Sequence, residues 1–342
     1  MAKILVTGGA GYIGSHTIVD LIENGFDVIC ADNFSRSLPT SLDGINEITG
    51  KKIKNYPVDL CNLESTKTIF EENKDIVGVI HFAAFKSVGE SVEKPLMYYE
   101  NNMYSLLNVL KCIQDYQIAS FVFSSSCSVY GNVDKLPVTE DTHLSSPECA
   151  YAATKQMGEQ VIKDFSKISN TQSILLRYFN PVGAHTSGLI GEVPFDKPNN
   201  LIPVITQTAI GQIEKMYVWG NDYQTRDGSC IRDYIHVMDI ANAHTKALQY
   251  LIAAKNESNC EIFNLGSGNG VSVLEAIYAF EKVSGVQLNY EIGPRRTGDV
   301  VAIYADNSLC KSKLGWNPKF SIDEMLETAW KWQLVLASKF KK

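Results

Sequence analysis

The sequence predicts an α/β protein in which a doubly wound parallel sheet is joined to a smaller α/β part at the C-terminal end. In the first 180 residues, short apolar runs typical of buried strands alternate with stretches of helical spacing, which indicates βαβ units. The chain has 342 residues, of which 45% are hydrophobic and 20% are charged, enough for about two globular domains. The predicted strands are residues 4–7, 27–31, 53–58, 77–83, 120–123 and 173–179, with helices at 15–23 and 65–72.

The composition of the chain changes after residue 180. Prolines and glycines crowd residues 181–203, which predicts a loop there. Further strands are predicted at 216–219 and 262–265, among helices near 238–253, 272–283 and 321–337. We therefore expect one domain over residues 1–180 and a second, substrate-covering domain over most of 181–342, although the chain may cross back into the first.

The charge balance and the cysteines limit the classes of function. Lys and Arg total 31 against 38 Asp and Glu, and this acidic balance argues against a nucleic-acid-binding surface. The eight cysteines are scattered and form no Cys-x-x-Cys pair, so no zinc site is predicted. No secretion signal and no apolar run of about 20 residues are visible, so we expect a soluble cytoplasmic protein.

A glycine-rich turn follows the first predicted strand and opens a helix. Gly8 permits the tight turn, Gly11 lets the backbone approach a pyrophosphate, and Gly14 lets the helix pack on the strand, with Tyr12 and Ile13 between the last two. The start of the helix offers free N–H groups and a positive potential to phosphates. The pattern therefore predicts dinucleotide binding, and the alternative is a glycine-rich turn without a ligand.

Asp32 ends the second predicted strand, at the distance expected for a residue that holds the adenosine ribose. A carboxylate accepts hydrogen bonds from ribose hydroxyls and repels a 2′-phosphate, so NAD is favoured over NADP. Arg36 lies close enough to suit a 2′-phosphate, but a solvated loop charge is its simpler role.

Tyr151 and Lys155 are spaced i, i+4, which puts the phenol and the ammonium on one face of a helix. A nearby cation favours the phenolate, so the pair could act as a general base. Ser124, Ser125 and Ser126 end the strand, at the carboxyl edge where parallel sheets bind ligands, and a serine there could hydrogen-bond the substrate hydroxyl and relay its proton. The alternative is a serine-rich strand end beside an ordinary amphipathic helix.

Four further segments carry a resemblance to a known family. They are residues 81–91 (HFAAFKSVGES), 177–184 (RYFNPVGA), 198–201 (PNNL) and 232–237 (RDYIHV). With the two motifs above, the chain resembles, from end to end, the UDP-sugar 4-epimerases of the extended short-chain dehydrogenase/reductase family. The resemblance implies a Rossmann fold, tightly bound NAD, a homodimer, and interconversion of UDP-galactose and UDP-glucose through transient oxidation at sugar C4.

The same resemblance assigns residues to the site. It implies catalytic roles for Ser126, Tyr151 and Lys155. The residues implied to bind the cofactor are Gly8, Gly11, Tyr12, Ile13, Gly14, Asp32, Asn33, Asp59, Leu60, Phe82, Ala83, Lys86, Asn101, Ser124, Tyr151, Lys155 and Phe179. Those implied to bind the UDP-sugar are Lys86, Ser126, Tyr151, Asn180, Asn200, Leu201, Arg232, Arg296, Asp299 and Ile303.

Two other functions are weighed against the epimerase. A nucleotide-sugar 4,6-dehydratase of this fold carries an Asp-Glu pair before the Val-Tyr-Gly that follows the serine strand, whereas this chain has Ser126, Cys127 and Ser128 there. An idle NAD-binding regulator would have no reason to retain Ser126, Tyr151 and Lys155 together. Cys127 also suggests a 3,5-epimerase/reductase, but a packed cysteine at the strand end is the simpler interpretation.

Ile303 occupies the position that the family uses as a gate beside the sugar C2 substituent. A tyrosine there goes with enzymes limited to UDP-glucose and UDP-galactose, and a small residue goes with tolerance of the N-acetyl group. Isoleucine is intermediate in size and stiff at χ1, so we expect a strong preference for UDP-galactose with weak activity on UDP-N-acetylgalactosamine. The alternative is that Ile303 only packs as a strand residue.

Overall fold

The structure is a computed structural model, and it describes residues 2–194, 198, 200–296 and 299–339. Seven parallel strands form its central sheet in the order β10-β6-β5-β4-β1-β2-β3. The strands are β1 (Lys3–Thr7), β2 (Asp27–Ala31), β3 (Lys54–Tyr56), β4 (Ile76–His81), β5 (Ser120–Ser126), β6 (Gln172–Tyr178) and β10 (Cys260–Leu265). Since β2 and β3 lie on one side of β1 and β4 on the other, the strand order reverses between β1 and β4. Ligands bind at such switch points, outside the carboxyl ends of the strands.

Helices cover both faces of this sheet. They are α1 (Tyr12–Glu23), α2 (Thr40–Thr49), α3 (Leu63–Glu72), α4 (Val88–Glu93), α5 (Pro95–Asp115), α6 (Ala150–Ile168) and α8 (Val237–Ile252). Ile4 and Val6 of β1 are buried in the same cluster as Ile18 of α1, whereas Leu5 is buried in the other cluster, with Val109 of α5. Successive side chains of a strand point to opposite faces, so a continuous apolar run is what a strand covered on both faces requires.

The remaining elements form a second core beside the carboxyl edge of the sheet. One small sheet joins β7 (Asn180–Val182), β9 (Ile231–His236), β11 (Gly270–Ser272) and β13 (Ala302–Ile303), and another pairs β8 (Met216–Trp219) with β12 (Tyr290–Gly293). Their helices are α7 (Leu201–Ala209), α9 (Val273–Ser284) and α11 (Ile322–Lys339), whereas α10 (Ser308–Leu314) packs on β10 and α8 of the first core. The second core is centred on Phe280, Ile277 and Leu326.

The chain returns to the first sheet after residue 181. The predicted strand at 262–265 is part of β10, which pairs with β6 at the edge of the seven-stranded sheet, and α8 packs on α1. Hydrophobic pattern alone could not reveal this, because a buried strand has the same composition in either part.

The predicted loop over 181–203 is wrong at both ends. Pro181 lies inside β7, which is a short edge strand, and Pro203 lies in the first turn of α7. Both are places where a missing N–H is tolerated, so these two prolines do not interrupt the elements that contain them.

No helix in the described ranges combines the length and the apolar character needed to cross a membrane.

Trp316 anchors the C-terminal elements to the first core. Its side chain is fully buried in the cluster that contains α1 and α8, and its indole N–H donates to the Asp239 carbonyl at 2.9 Å. Trp316→Ala leaves a large cavity and removes the indole hydrogen bond, so we expect it to lower the free energy of unfolding by about 3–5 kcal/mol. The matched control Trp219→Ala removes an indole that is 40% exposed. It should cost about 1 kcal/mol or less in urea titrations. Equal losses for the two variants would contradict this role of Trp316.

Candidate active site

A cleft of about 360 Å³ runs along the carboxyl edge of the sheet, across the switch point between β1 and β4. It brings together nearly all the residues predicted to bind a dinucleotide, although they come from seven separate segments of the chain. Those lining it are Gly8, Gly11, Tyr12, Ile13, Gly14, Asp32, Asn33, Asp59, Leu60, Phe82, Ala83, Lys86, Asn101, Ser124, Tyr151 and Lys155, together with Asn200 of the predicted substrate set.

The glycine-rich turn is as tight as the sequence suggested. Gly8 has a φ of +68°, and a Cβ there would lie 2.8 Å from the backbone N of Ala83. A Cβ on Gly14 would lie 2.3 Å from the carbonyl oxygen of Gly8, so no larger residue fits either position without moving backbone. Gly11 is the N-cap of α1 and supplies no side-chain cap, which leaves the N–H groups of the first turn to an anion.

Asp32 is a preorganised acceptor at the end of β2. Its carboxylate accepts hydrogen bonds from the N–H of Ala10 at 3.0 Å, the N–H of Phe34 at 2.9 Å and the hydroxyl of Ser37 at 2.7 Å. These bonds fix the carboxylate against the glycine turn and leave lone pairs for ribose hydroxyls.

Arg36 does not point to a 2′-phosphate site. Its guanidinium forms a bidentate ion pair with Glu90, at 2.8 and 3.0 Å, and lies 5.0 Å from the centroid of the Phe85 ring. The expectation of a merely solvated charge is therefore wrong, and the ion pair removes an argument for NADP. With the uncapped helix start and the fixed Asp32, these residues fit NAD.

Lys86 joins the two parts of the molecule across the cleft. Its ammonium lies 2.7 Å from the Glu192 carboxylate and 5.7 Å from the centroid of the Tyr12 ring. The Tyr12 hydroxyl in turn donates to the Gly183 carbonyl at 2.5 Å. Glu192 is a cleft residue that the motif analysis missed, because an isolated acid in a loop carries no spacing signal.

Of the three residues predicted to be catalytic, Tyr151 and Lys155 line the floor of the cleft, whereas Ser126 does not. Lys155 donates from its ammonium to the Ser124 carbonyl at 2.6 Å, and Ser126 is close enough to Tyr151 to influence the pKa of the phenol. Tyr178, which the sequence analysis did not single out, is hydrogen-bonded to the Ser124 hydroxyl at 2.5 Å and also lines the cleft. Its position in the 177–184 segment was the available signal.

The electrostatics of this group differ from the simple spacing argument. The Lys155 ammonium lies 5.9 Å from the centroid of the Tyr151 ring and is directed to the Ser124 carbonyl. Burial raises the pKa of Tyr151 well above its usual value, and the nearby Ser126 hydroxyl opposes that rise. Burial also lowers the pKa of Lys155 to about 7, while the nearby Glu159 carboxylate acts in the opposite direction. The i, i+4 spacing therefore does not by itself produce a low phenol pKa, because desolvation dominates.

Several residues predicted to bind the UDP-sugar lie beyond the cleft lining, among the C-terminal elements. Arg296 donates to the Asp299 carboxylate at 2.7 and 3.2 Å, and the Arg232 guanidinium lies 3.6 Å from the same carboxylate. Asn180 donates to the Asp233 carbonyl at 3.0 Å, and Leu201 is the first residue of α7. The arginine pair and the acid thus form one charged cluster.

Phe179 and Ile303 are packed together. Both are buried, at 2% and 7% exposed, in a small apolar cluster with Val129, Tyr130 and Ala305. Ile303 pairs in register with Arg232, which links it to the charged cluster through the backbone of β9. Neither side chain lines the cleft itself.

Comparison with known proteins agrees with this geometry. A family model described as GDP-mannose 4,6 dehydratase matches residues 5–329. The chain is 46% identical to the UDP-glucose 4-epimerase of Bacillus subtilis, over 96% of both chains, and 46% identical to that of Drosophila melanogaster, again over 96% of both.

Solved structures give the same result. A UDP-glucose 4-epimerase from Stenotrophomonas maltophila, crystallised with NAD and formylated UDP-arabinopyranose, superposes with a TM-score of 0.96 at 41% identity, over 99% of this chain and all of that one. The enzyme from Bifidobacterium longum, in complex with NAD+ and UDP, gives a TM-score of 0.92 at 43% identity with the same coverage. The Rossmann-like α/β fold and the family resemblance predicted from the motifs are confirmed. The chain belongs to the GDP-mannose 4,6 dehydratase family and, within it, to the UDP-glucose 4-epimerases.

Proposed function

We propose that this protein is an NAD-dependent UDP-glucose 4-epimerase that interconverts UDP-galactose and UDP-glucose. The observation that carries the proposal is the single cleft in which a glycine turn, a fixed Asp32 and the Tyr151–Lys155 pair lie together. The family to which the chain belongs, and the relatives crystallised with NAD and with UDP compounds, support it.

In this proposal, each of the two cores binds a different ligand. Residues 1–180 hold the dinucleotide, and most of 181–342 bind the UDP-sugar, apart from α8, β10 and α10, which pack with the first part. Asp32 and Asn33 would hold the adenosine ribose of NAD, the start of α1 its pyrophosphate, and Lys155 its nicotinamide ribose. When bound, NAD supplies a hydride acceptor and donor beside the sugar.

The chemistry of the chain itself is proton transfer. Tyr151 takes the proton of the sugar 4-hydroxyl as C4 is oxidised. It returns the proton after the keto sugar has rotated to present its opposite face, and Ser126 would act as a relay for the proton. The raised pKa of Tyr151 means that this role needs positive charge close by, which a protonated Lys155 provides. Arg232 and Arg296 suit the diphosphate, because a guanidinium stays charged and binds oxyanions in bidentate fashion.

A 4,6-dehydratase is the second candidate, since the matched family model bears that description. Elimination across C5–C6 needs an additional acid and base. The end of β5 and the residues after it supply Ser126, Cys127 and Ser128, and burial raises the pKa of the Cys127 thiol to about 12. No carboxylate stands in these positions, so the epimerase is favoured.

A cytoplasmic homodimer completes the proposal. The apolar side chains Leu96 and Tyr104 of α5 and Met157 of α6 are exposed, at 74%, 55% and 46%. Tyr98 of α5 is fully buried, so this helix packs one face into the core and leaves another exposed. Pairing of α5 and α6 between two copies would cover these side chains.

The direct test is turnover of UDP-galactose. We expect UDP-glucose as the product, measured by anion-exchange chromatography, with no NAD added, because the net redox change is zero and the cofactor should remain bound through gel filtration. A 4-keto-6-deoxy product would favour the dehydratase. Apoprotein that requires NADP would contradict both the Asp32 argument and the assignment.

Tyr151→Phe removes only the hydroxyl that exchanges the proton. We expect kcat to fall by about 10²- to 10⁴-fold with nucleotide binding unchanged, since general acid–base catalysis typically contributes that much. Tyr250→Phe, which removes another buried tyrosine hydroxyl outside the cleft, is the control and should leave kcat unchanged. A near-normal rate for Tyr151→Phe would exclude Tyr151 as the proton acceptor.

Ile303→Ala tests the proposed gate for the sugar. Relief of a steric clash in a packed site is worth on the order of 1–3 kcal/mol. The kcat/KM for UDP-N-acetylgalactosamine should therefore rise relative to that for UDP-galactose by roughly 5- to 100-fold. An unchanged ratio would mean that Ile303 only packs with Phe179.

A further inference from the structure

A buried ion pair lies directly behind the catalytic end of β5. The Glu159 carboxylate accepts from the Arg177 guanidinium at 2.8 and 2.6 Å, and Glu159 and Arg177 are each only 1% exposed. The same carboxylate accepts from the Ser125 hydroxyl at 2.6 Å. Arg177 is further bound to the Tyr130 hydroxyl at 3.0 Å, so the pair is satisfied by a fixed set of partners.

The placement of Glu159 follows from helix and strand geometry. Glu159 stands one helical turn beyond Lys155 and two beyond Tyr151, so all three lie along one side of α6. Ser125 and Arg177 are register partners on β5 and β6, and their side chains therefore leave the sheet on the same face.

Two consecutive turns of α6 thus hold two consecutive residues of β5. Lys155 binds the Ser124 carbonyl at 2.6 Å, and Glu159 binds the Ser125 hydroxyl at 2.6 Å. Ser126 is the next residue of the strand and is close enough to Tyr151 to influence the pKa of the phenol. A shift of Ser125 would therefore move both of its neighbours: Ser124, which is bound to Lys155, and Ser126, which lies near Tyr151.

We propose that Glu159 is a positioning residue: its carboxylate fixes the end of β5 through Ser125 and Arg177, and its charge keeps the Lys155 ammonium protonated in the buried site. The effect of Glu159 on catalysis rests on the proposed function, whereas its effect on the pKa of Lys155 does not.

The other groups around Lys155 do not replace this charge. His81 of β4 is buried, and its pKa is lowered to about 3 by burial and by Lys155 itself, so it is neutral. Tyr178 of β6 is also neutral, since burial raises its pKa to about 12. Tyr151 is protonated for the same reason, whereas Glu159 acts to raise the pKa of Lys155.

The surroundings of Glu159 are also defined. Lys163 of α6 approaches its carboxylate at 3.7 Å, and Arg177 binds it from β6. Cys260 of β10 lies near and, because burial raises the pKa of its thiol to about 11, carries no charge.

The first experiment removes both charges of the pair. Glu159→Gln alone would leave Arg177 buried and unpaired, which is strongly destabilising, so the double variant Glu159→Gln/Arg177→Gln is compared with the wild-type holoprotein. The pKa of Lys155 is read from the pH titration of its ¹³Cε resonance in protein labelled with ¹³C-lysine, assigned by its absence in Lys155→Met. Glu159 raises the pKa of Lys155, and the loss of Arg177 offsets its removal only in part, so we expect the pKa of Lys155 to fall in the double variant.

The second experiment tests the geometric step and leaves the ion pair intact. Ser125→Ala removes only the hydroxyl bound to Glu159, and we expect kcat for UDP-galactose to fall by about 10-fold with KM unchanged, because small displacements of reacting groups are costly. The matched control is Ser173→Ala, which removes a buried hydroxyl of β6, bound to Ser166 at 3.1 Å, at the other end of the strand. It should leave kcat unchanged.

The outcomes separate the proposals. An unchanged pKa of Lys155 in the folded double variant, or equal kcat values for Ser125→Ala and Ser173→Ala, overturns the positioning role. If the double variant does not fold, the comparison of kcat between Ser125→Ala and Ser173→Ala tests the positioning role. A wild-type protein that fails to convert UDP-galactose overturns the proposed function, while the titration of Lys155 still tests the effect of Glu159.

Discussion

The hydrogen bond from the Lys155 ammonium to the Ser124 carbonyl is the contact on which the site depends. It is 2.6 Å long and ties the middle of α6 to the last residues of β5, both buried. Without it, the bond from the Ser125 hydroxyl to Glu159 would still join helix and strand, but the turn of α6 that follows Tyr151 would have no polar contact with the end of β5. Burying the ammonium at this point removes it from water, and this desolvation lowers the pKa of Lys155.

The sequence predicts best where function depends on near neighbours along the chain. The turn over Gly8 and Gly14, the acid at the end of β2, and the spacing of Tyr151 and Lys155 are all local patterns, and the structure brings them into one cleft. The prediction of alternating strands and helices is equally local, and it holds for β2 at 27–31 and β8 at 216–219 to the residue.

The sequence predicts less well where residues meet through the fold. The place of β10 beside β6 and the pairing of Arg36 with Glu90 depend on tertiary contacts between distant segments. The pKa of Tyr151 is a similar case. Spacing shows that Lys155 is near, but only the packing around both residues shows that burial outweighs the charge.

The preference for NAD illustrates how such contacts refine a local rule. Asp32 alone would suggest repulsion of a 2′-phosphate, yet a flexible arginine four residues later could offset it. In the structure the Arg36 guanidinium is held by both oxygens of Glu90 and packs over the Phe85 ring. Ser37, the next residue, donates to Asp32 at 2.7 Å and is buried. The loop therefore holds the Arg36 guanidinium against Glu90 and directs the Ser37 hydroxyl to Asp32. The preference for NAD over NADP thus rests on the whole loop and not on one acid.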